Sequence, residues 1–547
     1  DTDRSRGLGD VYKRQVLCMC SLSVLLNSCD DFLKEEPLDM KSSDQFWKTK
    51  ADAESGVNAL YFGGVPYLHN TDVGGGWTPK ATMWGGIVSG LYVDKRKDRT
   101  FTTASEGCNF NIESFDEIAM KYWHEFYKGI SRANFVIANI PTMTGVLDEA
   151  TINNYVAQGK FFRAYGYFWL VKEFGGVPYI SEPYTSTEGM YKERLSAEEI
   201  YAKIEADLLD IVNGDALPNK TFYENGCYVT RAMAQTLLAQ VYLQWAGAPL
   251  NGGTEYYGKA AQMALKVIND GPHSLIDPNG TTDDLKSAYN VIKTTKESAE
   301  IIYAKEYNYS DYSVGNSYAC RSIGTDAFQW GVFHPGGDVL YNAYLPCDML
   351  IDSYADNDIR GHEKQFFFRE YEDADGVKHT LNNVGNWAWF DESSLINGHD
   401  GDYNMPVFRY AEVLLIAAEG LARTGQEGNA VGGAKYYLNQ VRKRAGLADE
   451  TATGNDLIQS ILTERLHELP LEFKIWDDIR RTRLYPEAST EAGKLKWTAL
   501  ASAQIQNKPD GSTRAGAIPE YALLWPIPLD EIQANPSLEG HQNPGWN

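Results

Sequence analysis

Five blocks between residues 118 and 270 repeat apolar side chains every three to four positions, most with a start or stop signal. That period belongs to helices with a buried face, and a chain built this way has few folds open to it. Ile118, Tyr122, Phe126, Ile130, Ile137 and Ile140 form the first stripe, and Pro141 ends it. Tyr155, Phe162, Tyr165 and Trp169 mark a second over 152–174, closed by Gly175, Gly176 and Pro178. Ser196 with Glu199 three residues on is a capping box, followed by Ile200, Ile204, Leu208 and Ile211. Thr230 opens the fourth block, with Leu237, Leu238, Val241 and Trp245 inward, and the fifth spans 256–269. Later helices are expected at 408–423, 434–445 and 456–469. Ala234, Ala239, Ala261 and Ala264 lie where helices would touch. Ser196 and Thr230 are 34 residues apart, the tetratricopeptide period. The expected fold is mostly α: a tetratricopeptide-like helical-repeat scaffold over about 115–270 and 405–485.

Two stretches break this texture, about 61–100 and 301–405. Tyr, Trp, Gly, Asp and Asn crowd there, as in Tyr307-Asn308-Tyr309-Ser310-Asp311-Tyr312 and Trp387-Ala388-Trp389-Phe390. Loops with short strands are expected. A rigid scaffold carrying aromatic loops is a common way to build a binding site.

Composition narrows the function. The net charge of −24 argues against a nucleic-acid partner. No CxxC, Walker A, GxGxxG, GxSxG or HExxH occurs in the 547 residues, so no cofactor, metal or catalytic site is expected. Asp400, Asp402 and Asn404 offer oxygens to calcium but read better as a solvated turn. Asp373-Ala374-Asp375-Gly376 reads as a hairpin turn. Cys108, Cys227, Cys320 and Cys347 are too far apart in sequence for spacing to decide pairing.

The N-terminal part reads as an export signal. Residues 1–15 are set apart as an artefactual extension, and Val16–Leu26 is an apolar run too short to span a bilayer. Leu26-Asn27-Ser28-Cys29 resembles a lipobox, which makes Cys29 the acylated residue and 1–28 the signal peptide. Asp30-Asp31 resembles the acidic surface-export signal of Bacteroidetes-type lipoproteins. Residues 29–547 are then one lipid-tethered body.

Several segments of that body occur in a telling order. They are Gln158–Leu170 with Phe174-Gly175-Gly176-Val177-Pro178, then Arg409–Glu419, Leu438–Leu447, Glu464–Arg481, and the end from Leu524-Trp525-Pro526 to Asn543-Pro544-Gly545. Together they resemble the SusD/RagB family of surface nutrient-binding lipoproteins. The resemblance implies a helical scaffold under a loop-rich binding region, and a glycan or peptide ligand. It also implies a SusC-type TonB-dependent outer-membrane transporter as partner, with attachment to the outer membrane through the lipid. The matched motifs are scaffold. Arg442, Arg444 and Arg465 are expected to clamp helices to Glu464, Glu468 and Glu472.

For the ligand, sugar rings offer apolar faces for aromatic stacking and polar edges for hydrogen bonds. Trp77, Trp84, Tyr312, Trp330 and Phe333 are the candidate platforms, with Asp94, Asn316 and Arg321 as polar partners. The basic run Lys95, Arg96, Lys97 and Arg99 reads as a surface turn. Non-catalytic glycan binding leads. A lipoprotein for peptide or protein ligands is second, and a surface glycosidase third.

Overall fold

The computed structural model describes residues 46–66, 85–94, 112–184, 186–334, 343–398, 400–503, 505 and 517–546, with side chains from 119 onward in the helix that begins at 112. Cys29, Trp77 and Trp84 lie outside these residues, as does the side chain of Asp94. The chain divides into residues 1–53 and Glu54–Asn547. Within the first, Thr49 caps a helix: its hydroxyl accepts from the Asp52 amide (3.2 Å), and the Asp52 carboxylate accepts from the Thr49 amide (2.8 Å).

Among the described residues, nine helices build the scaffold of the second unit: α1 Ile112–Asn139, α2 Glu149–Phe174, α3 Ala197–Val212, α4 Arg231–Ala246, α5 Gly253–Asp270, α6 Tyr410–Arg423, α7 Ala434–Arg444, α8 Gly454–Glu468 and α9 Ile475–Thr482. Their starts follow from local chemistry. Asp148 accepts from the Thr151 amide (2.7 Å), the Ser196–Glu199 capping box forms in both directions, and Thr230 accepts from the Met233 amide (3.3 Å). From α1 to α6 each helix packs on the next, and α6 also receives α7 and α8. From Ala157 on, α2 is buried on nearly every side, as is most of α4. A helix apolar all round belongs inside a stack. Small residues permit the close approach: a Cβ on Gly166 would lie 2.9 Å from Ile130 Cγ1 of α1.

This is the expected scaffold, with corrections in detail. The 34-residue spacing of Ser196 and Thr230 covers one helix and its long connection, not a helix pair. Phe408 and Arg409 belong to a strand rather than to α6, because they pair with the chain at 301–305. The helix α9 was not expected; its sequence mixes charged and apolar residues, and tertiary ion pairs fix it.

The stack is interrupted by 271–409, yet α5 packs directly on α6 across the gap. At the contact, a Cβ on Gly420 would lie 2.5 Å from the Tyr257 carbonyl oxygen and 2.8 Å from Ala261 Cβ. The insertion therefore bulges from a continuous helical layer. Short antiparallel pairs organise this region and the ends around it. The strands are β1 Tyr92–Asp94, β2 Ile301–Lys305, β3 Ala343–Pro346, β4 Phe368–Glu372, β5 Lys378–Gly385, β6 Met405–Arg409, β7 Leu484–Ala488 and β8 Leu495–Ala499. They pair as β1–β3, β2–β6, β4–β5 and β7–β8. In β2–β6, Ile301 faces Arg409 and Lys305 faces Met405, so the insertion's early strand is clasped to its last residues.

Buried ion pairs fasten the insertion to the stack. Arg409 reaches Glu300 (2.7 Å), Glu468 (3.0 Å) and Glu472 (2.7 Å). Arg444 meets Glu300 (2.6 Å) and Glu468, and Arg360 meets Asp358 (2.8 Å), Glu464 (2.6 Å) and Glu468 (3.3 Å). Burial would raise the Glu468 carboxyl, but Arg444, Arg409 and Arg360 hold it below its ordinary value. Arg442 pairs with Glu464 (3.2 Å) as expected, while Arg465 takes Asp478 of α9 (2.9 Å) instead of a glutamate. Arg481 forks onto Glu419 (2.7 and 2.6 Å) and Arg480 onto Glu173 (2.9 Å twice), which ties α9 to α6 and α2. No helix among the described residues is long and apolar enough to cross a membrane.

Candidate functional site

Pairing of β1 with β3 brings the two aromatic-rich stretches together. Val93 faces Leu345, and Asp94 lies opposite Ala343 beside a register shift. Tyr92 stacks on Tyr344 (4.0 Å, 8° between planes). Asp94 is therefore placed at the seam between the two stretches.

Beyond this seam the insertion has two parts. The first is a strap, 307–317, tied to 400–404. Main-chain bonds run both ways between Asn316 and Gly401 (2.7 and 3.0 Å). Asn404 Oδ1 accepts from the Tyr307 amide (2.9 Å), and Asp402 accepts from the Ser310 hydroxyl (2.6 Å) and the Tyr309 amide (2.5 Å). Burial works against the Asp402 charge, yet these donors hold its carboxyl below the usual range. Asp402 and Asn404 are thus occupied as turn residues. No group of three or more His, Cys, Asp or Glu among the described residues is arranged to hold a metal. At the outer end of the strap, Tyr312 is 76 % exposed and Val314 stands beside it, 43 % exposed.

The second part is a small core of its own. Ile323, Ala327, Phe333, Phe368, Tyr371, Leu381, Phe390 and Leu395 are buried together, edged by the partly buried Phe328, Trp330, Val332 and Trp387. A file of rings crosses it. Trp387 stacks on Phe390 (5.1 Å), Phe390 leans on Tyr371 (5.8 Å), Tyr371 lies parallel to Trp330 (5.9 Å), and Trp330 stacks on His379 (4.6 Å). The β4–β5 hairpin holds the end of this file. Its turn is the expected one: Asp373 accepts from the Asp375 and Val377 amides (3.0 and 2.9 Å), with Gly376 at φ +78°. Asp373 also bonds His379 Nε2 (2.7 Å), and this bond, with the amides, lowers its carboxyl.

The predicted contact residues separate into three groups. Tyr312 is exposed and Trp330 is half-buried. Trp77, Trp84 and the Asp94 side chain lie outside the description. Asn316, Arg321 and Phe333 point inward, which corrects their assignment as ligand partners. Asn316 donates to the Tyr403 carbonyl (2.7 Å) and accepts from the Tyr318 amide (2.9 Å), so its amide is spent on the strap. Arg321 is fully buried and donates to the Ser317 carbonyl. Phe333 fills the small core. The cause is shared: a region with little regular secondary structure must bury side chains to hold its shape. Sequence reasoning missed Trp387, Tyr371 and His379 as members of the file. The spacing of Trp387, Trp389 and Phe390 just after a strand was the available signal.

One further cluster has catalytic residue types. Ser353 Oγ lies 2.8 Å from His467 Nε2, and His467 Nδ1 lies 4.0 Å from Asp358. The last distance is too long to orient a base, and Asp358 already holds Arg360 through two nitrogens (2.9 and 2.8 Å). All three side chains are buried. Burial, helped by Arg360, pushes the imidazole down to about 3. These residues are structural.

Comparison with known proteins agrees with this architecture. The SusD family model matches residues 328–546, and a second model, described as starch-binding and associating with the outer membrane, matches 89–243. SusD-like protein P2 of Formosa agariphila is 26 % identical over 98 % of this chain and all of its own length. A crystal structure of a SusD superfamily protein from Parabacteroides distasonis superposes with a TM-score of 0.75 at 25 % identity, covering 91 % of this chain and 99 % of the other. Surface glycan-binding protein A from Bacteroides thetaiotaomicron, solved in complex with laminarihexaose, gives 0.67 at 22 % identity over 91 % and 100 %. The chain belongs to the SusD/RagB family.

Proposed function

We propose that this protein is a non-catalytic glycan-binding lipoprotein of the outer-membrane surface. It holds oligosaccharide or polysaccharide nutrients and passes them to a SusC-type TonB-dependent transporter, tethered through Cys29. The observation that carries the reading is the exposed ring of Tyr312 on its bonded strap, with the half-buried Trp330 at the edge of the small core within the same insertion. Tyr312 sits on a strap whose turn is fully bonded, and Trp330 is backed by stacked rings. Such preorganised flat surfaces suit the apolar faces of sugars, since little side-chain freedom is lost on binding. Trp77, Trp84 and Asp94 are proposed as the rest of the site, because β1 leads their stretch to the insertion. The laminarihexaose complex of the Bacteroides protein supports a glycan as ligand. So does the name of another fold neighbour, a laminarin-binding SusD-like protein.

Affinity electrophoresis of the purified protein against laminarin and a panel of plant, host and microbial polysaccharides tests this. Retardation by one glycan class, weakened in Tyr312→Ala and Trp330→Ala and without release of product, is expected. Peptide binding with no glycan retained would replace this reading with the peptide one. Release of shorter sugars would make the protein a glycosidase.

A further inference from the structure

Trp387, at the near end of the ring file, carries two lysines. Lys293 Nζ lies 4.1 Å from its ring centre and Lys364 Nζ 5.5 Å. Tyr403 (5.1 Å) and Phe390 (5.9 Å) also face Lys293. The ring is fixed in place, because Trp387 Nε1 donates to Asn290 Oδ1 (2.7 Å). The two lysines come from separate elements, the helix Ala288–Thr294 and the turn before β4, so the fold and not a local repeat brings them together.

Neither amine has an ion pair or a side-chain hydrogen bond among the described residues. The nearby carboxylates are committed elsewhere. Asp391 accepts from the Ser394 and Asp402 amides (3.2 and 3.0 Å), and Glu392 accepts from the Tyr371 hydroxyl (2.6 Å). Lys293 also lines a cavity with Asn316, Trp389 and Asn404. A desolvated ammonium set against aromatic faces keeps its charge attraction but leaves its donors unused. In a chain of net charge −24, carboxylates are plentiful, yet these two lysines meet rings instead.

We propose that Lys293 and Lys364, mounted on Trp387, form a subsite that selects glycans bearing an anionic substituent, a carboxylate or a sulfate. The inference rests on the glycan-binding reading above and names the substrate class. The anion supplies the acceptors that both ammoniums lack, and its several oxygens can serve more than one donor. Protonation follows the same logic. Burial lowers Lys293 to about 7, while Asp391 and Glu392 act in the opposite direction; among the described residues Lys364, Tyr403 and, lining the same cavity, Tyr289, Arg409 and Glu472 are the other ionisable groups around it. A bound anion favours the charged amine and raises that value, so affinity for anionic glycans falls as pH rises through 7.

The test uses the full chain in detergent and two matched polymer pairs. Polygalacturonate against its methyl ester reports on carboxylate, and dextran sulfate against dextran on sulfate. At pH 6.5 and low salt, one charged polymer should bind at least about tenfold tighter than its uncharged partner. The preference should vanish in Lys293→Met/Lys364→Met, survive in Lys293→Arg, and weaken at high salt. Equal binding within both pairs, or a preference that persists in the double variant, overturns the subsite. Retention of laminarin without any preference for charge overturns the subsite alone. Retention of no glycan at all overturns the glycan reading with it. Should the double variant fail to fold, NMR of the wild-type protein with 13C-methylated lysines decides. Polygalacturonate or dextran sulfate should shift the Lys293 titration upward, and an unmoved titration with both refutes the proposal.

Discussion

The helical stack and the 271–409 insertion bury similar kinds of surface with different means. In the stack, apolar stripes meet between helices, and Arg–carboxylate forks close the gaps, as between Arg481 and Glu419. In the insertion, strands are short, and rings replace regular structure as the source of shape: Phe333, Tyr371, Phe390 and Trp330 pack into a core of their own. Ion pairs are directional and tolerate little change, because a lost partner leaves a buried charge behind. Aromatic packing tolerates change at its edge and not at its centre. A region meant to vary its surface is better held by the second means. The two meet at Arg409, which ends the insertion and enters the ion-pair web.

The largest expected effect comes from breaking that junction. Glu468→Ala removes the carboxylate shared by Arg360, Arg409 and Arg444 and should cost about 3–5 kcal/mol in urea unfolding. A loss below about 1 kcal/mol would show that the web is not what binds insertion to stack. Phe333→Ala should cost about 3 kcal/mol and act locally. Hydrogen exchange should quicken in 323–395 and stay slow in α2 and α4; uniform loss of protection would mean the two regions unfold as one.

A pH experiment separates them further. His467 has its folded value depressed to about 3, against an unfolded value near 6.5. The unfolded chain therefore binds the extra proton between these values, and stability falls as pH drops through that window. The slope from this residue is at most about 1.4 kcal/mol per pH unit. His467→Gln should flatten the curve between pH 6 and 5, where most carboxylates are still ionised; an unchanged curve would assign the loss to other groups. The smallest effect on stability belongs to Tyr312→Ala, within about 0.5 kcal/mol. Its glycan affinity should nonetheless drop several-fold to about tenfold. If stability falls and affinity does not, Tyr312 supports the strap and is no platform.

The same contrast governs what could be read from the sequence. Helices α1 to α8 were legible from their apolar period, reinforced where caps also mark the start, as at Ser196 with Glu199 and at Thr230. Their ends were less so: Arg409 looks helical by neighbourhood, but pairing with Ile301 makes it a strand. In the insertion, composition announced an aromatic region and not which rings face out. Trp330 and Phe333 are three residues apart in near-identical surroundings, yet one edges the core and the other fills it. That distinction depends on β4 and β5, about 40 residues away, and no local pattern encodes it. Asn316 and Arg321 looked like polar ligand partners for the same reason; Asn316 donates instead to the distant Tyr403 carbonyl, and Arg321 turns back on the Ser317 carbonyl four residues earlier.

The clasp between β2 and β6 has an evolutionary consequence. Chain enters and leaves the recognition region near one narrow gate, while α5 and α6 close behind it through Gly420. Lengthening a loop beyond the gate costs free energy only as the logarithm of its length. The helical layer is held to the insertion at Glu300, Arg360 and Arg409, and loops that lie beyond these anchors do not enter its packing. Loops outside the clasp are therefore free to change in length and sequence while the helical packing and the ion pairs at its base stay as they are.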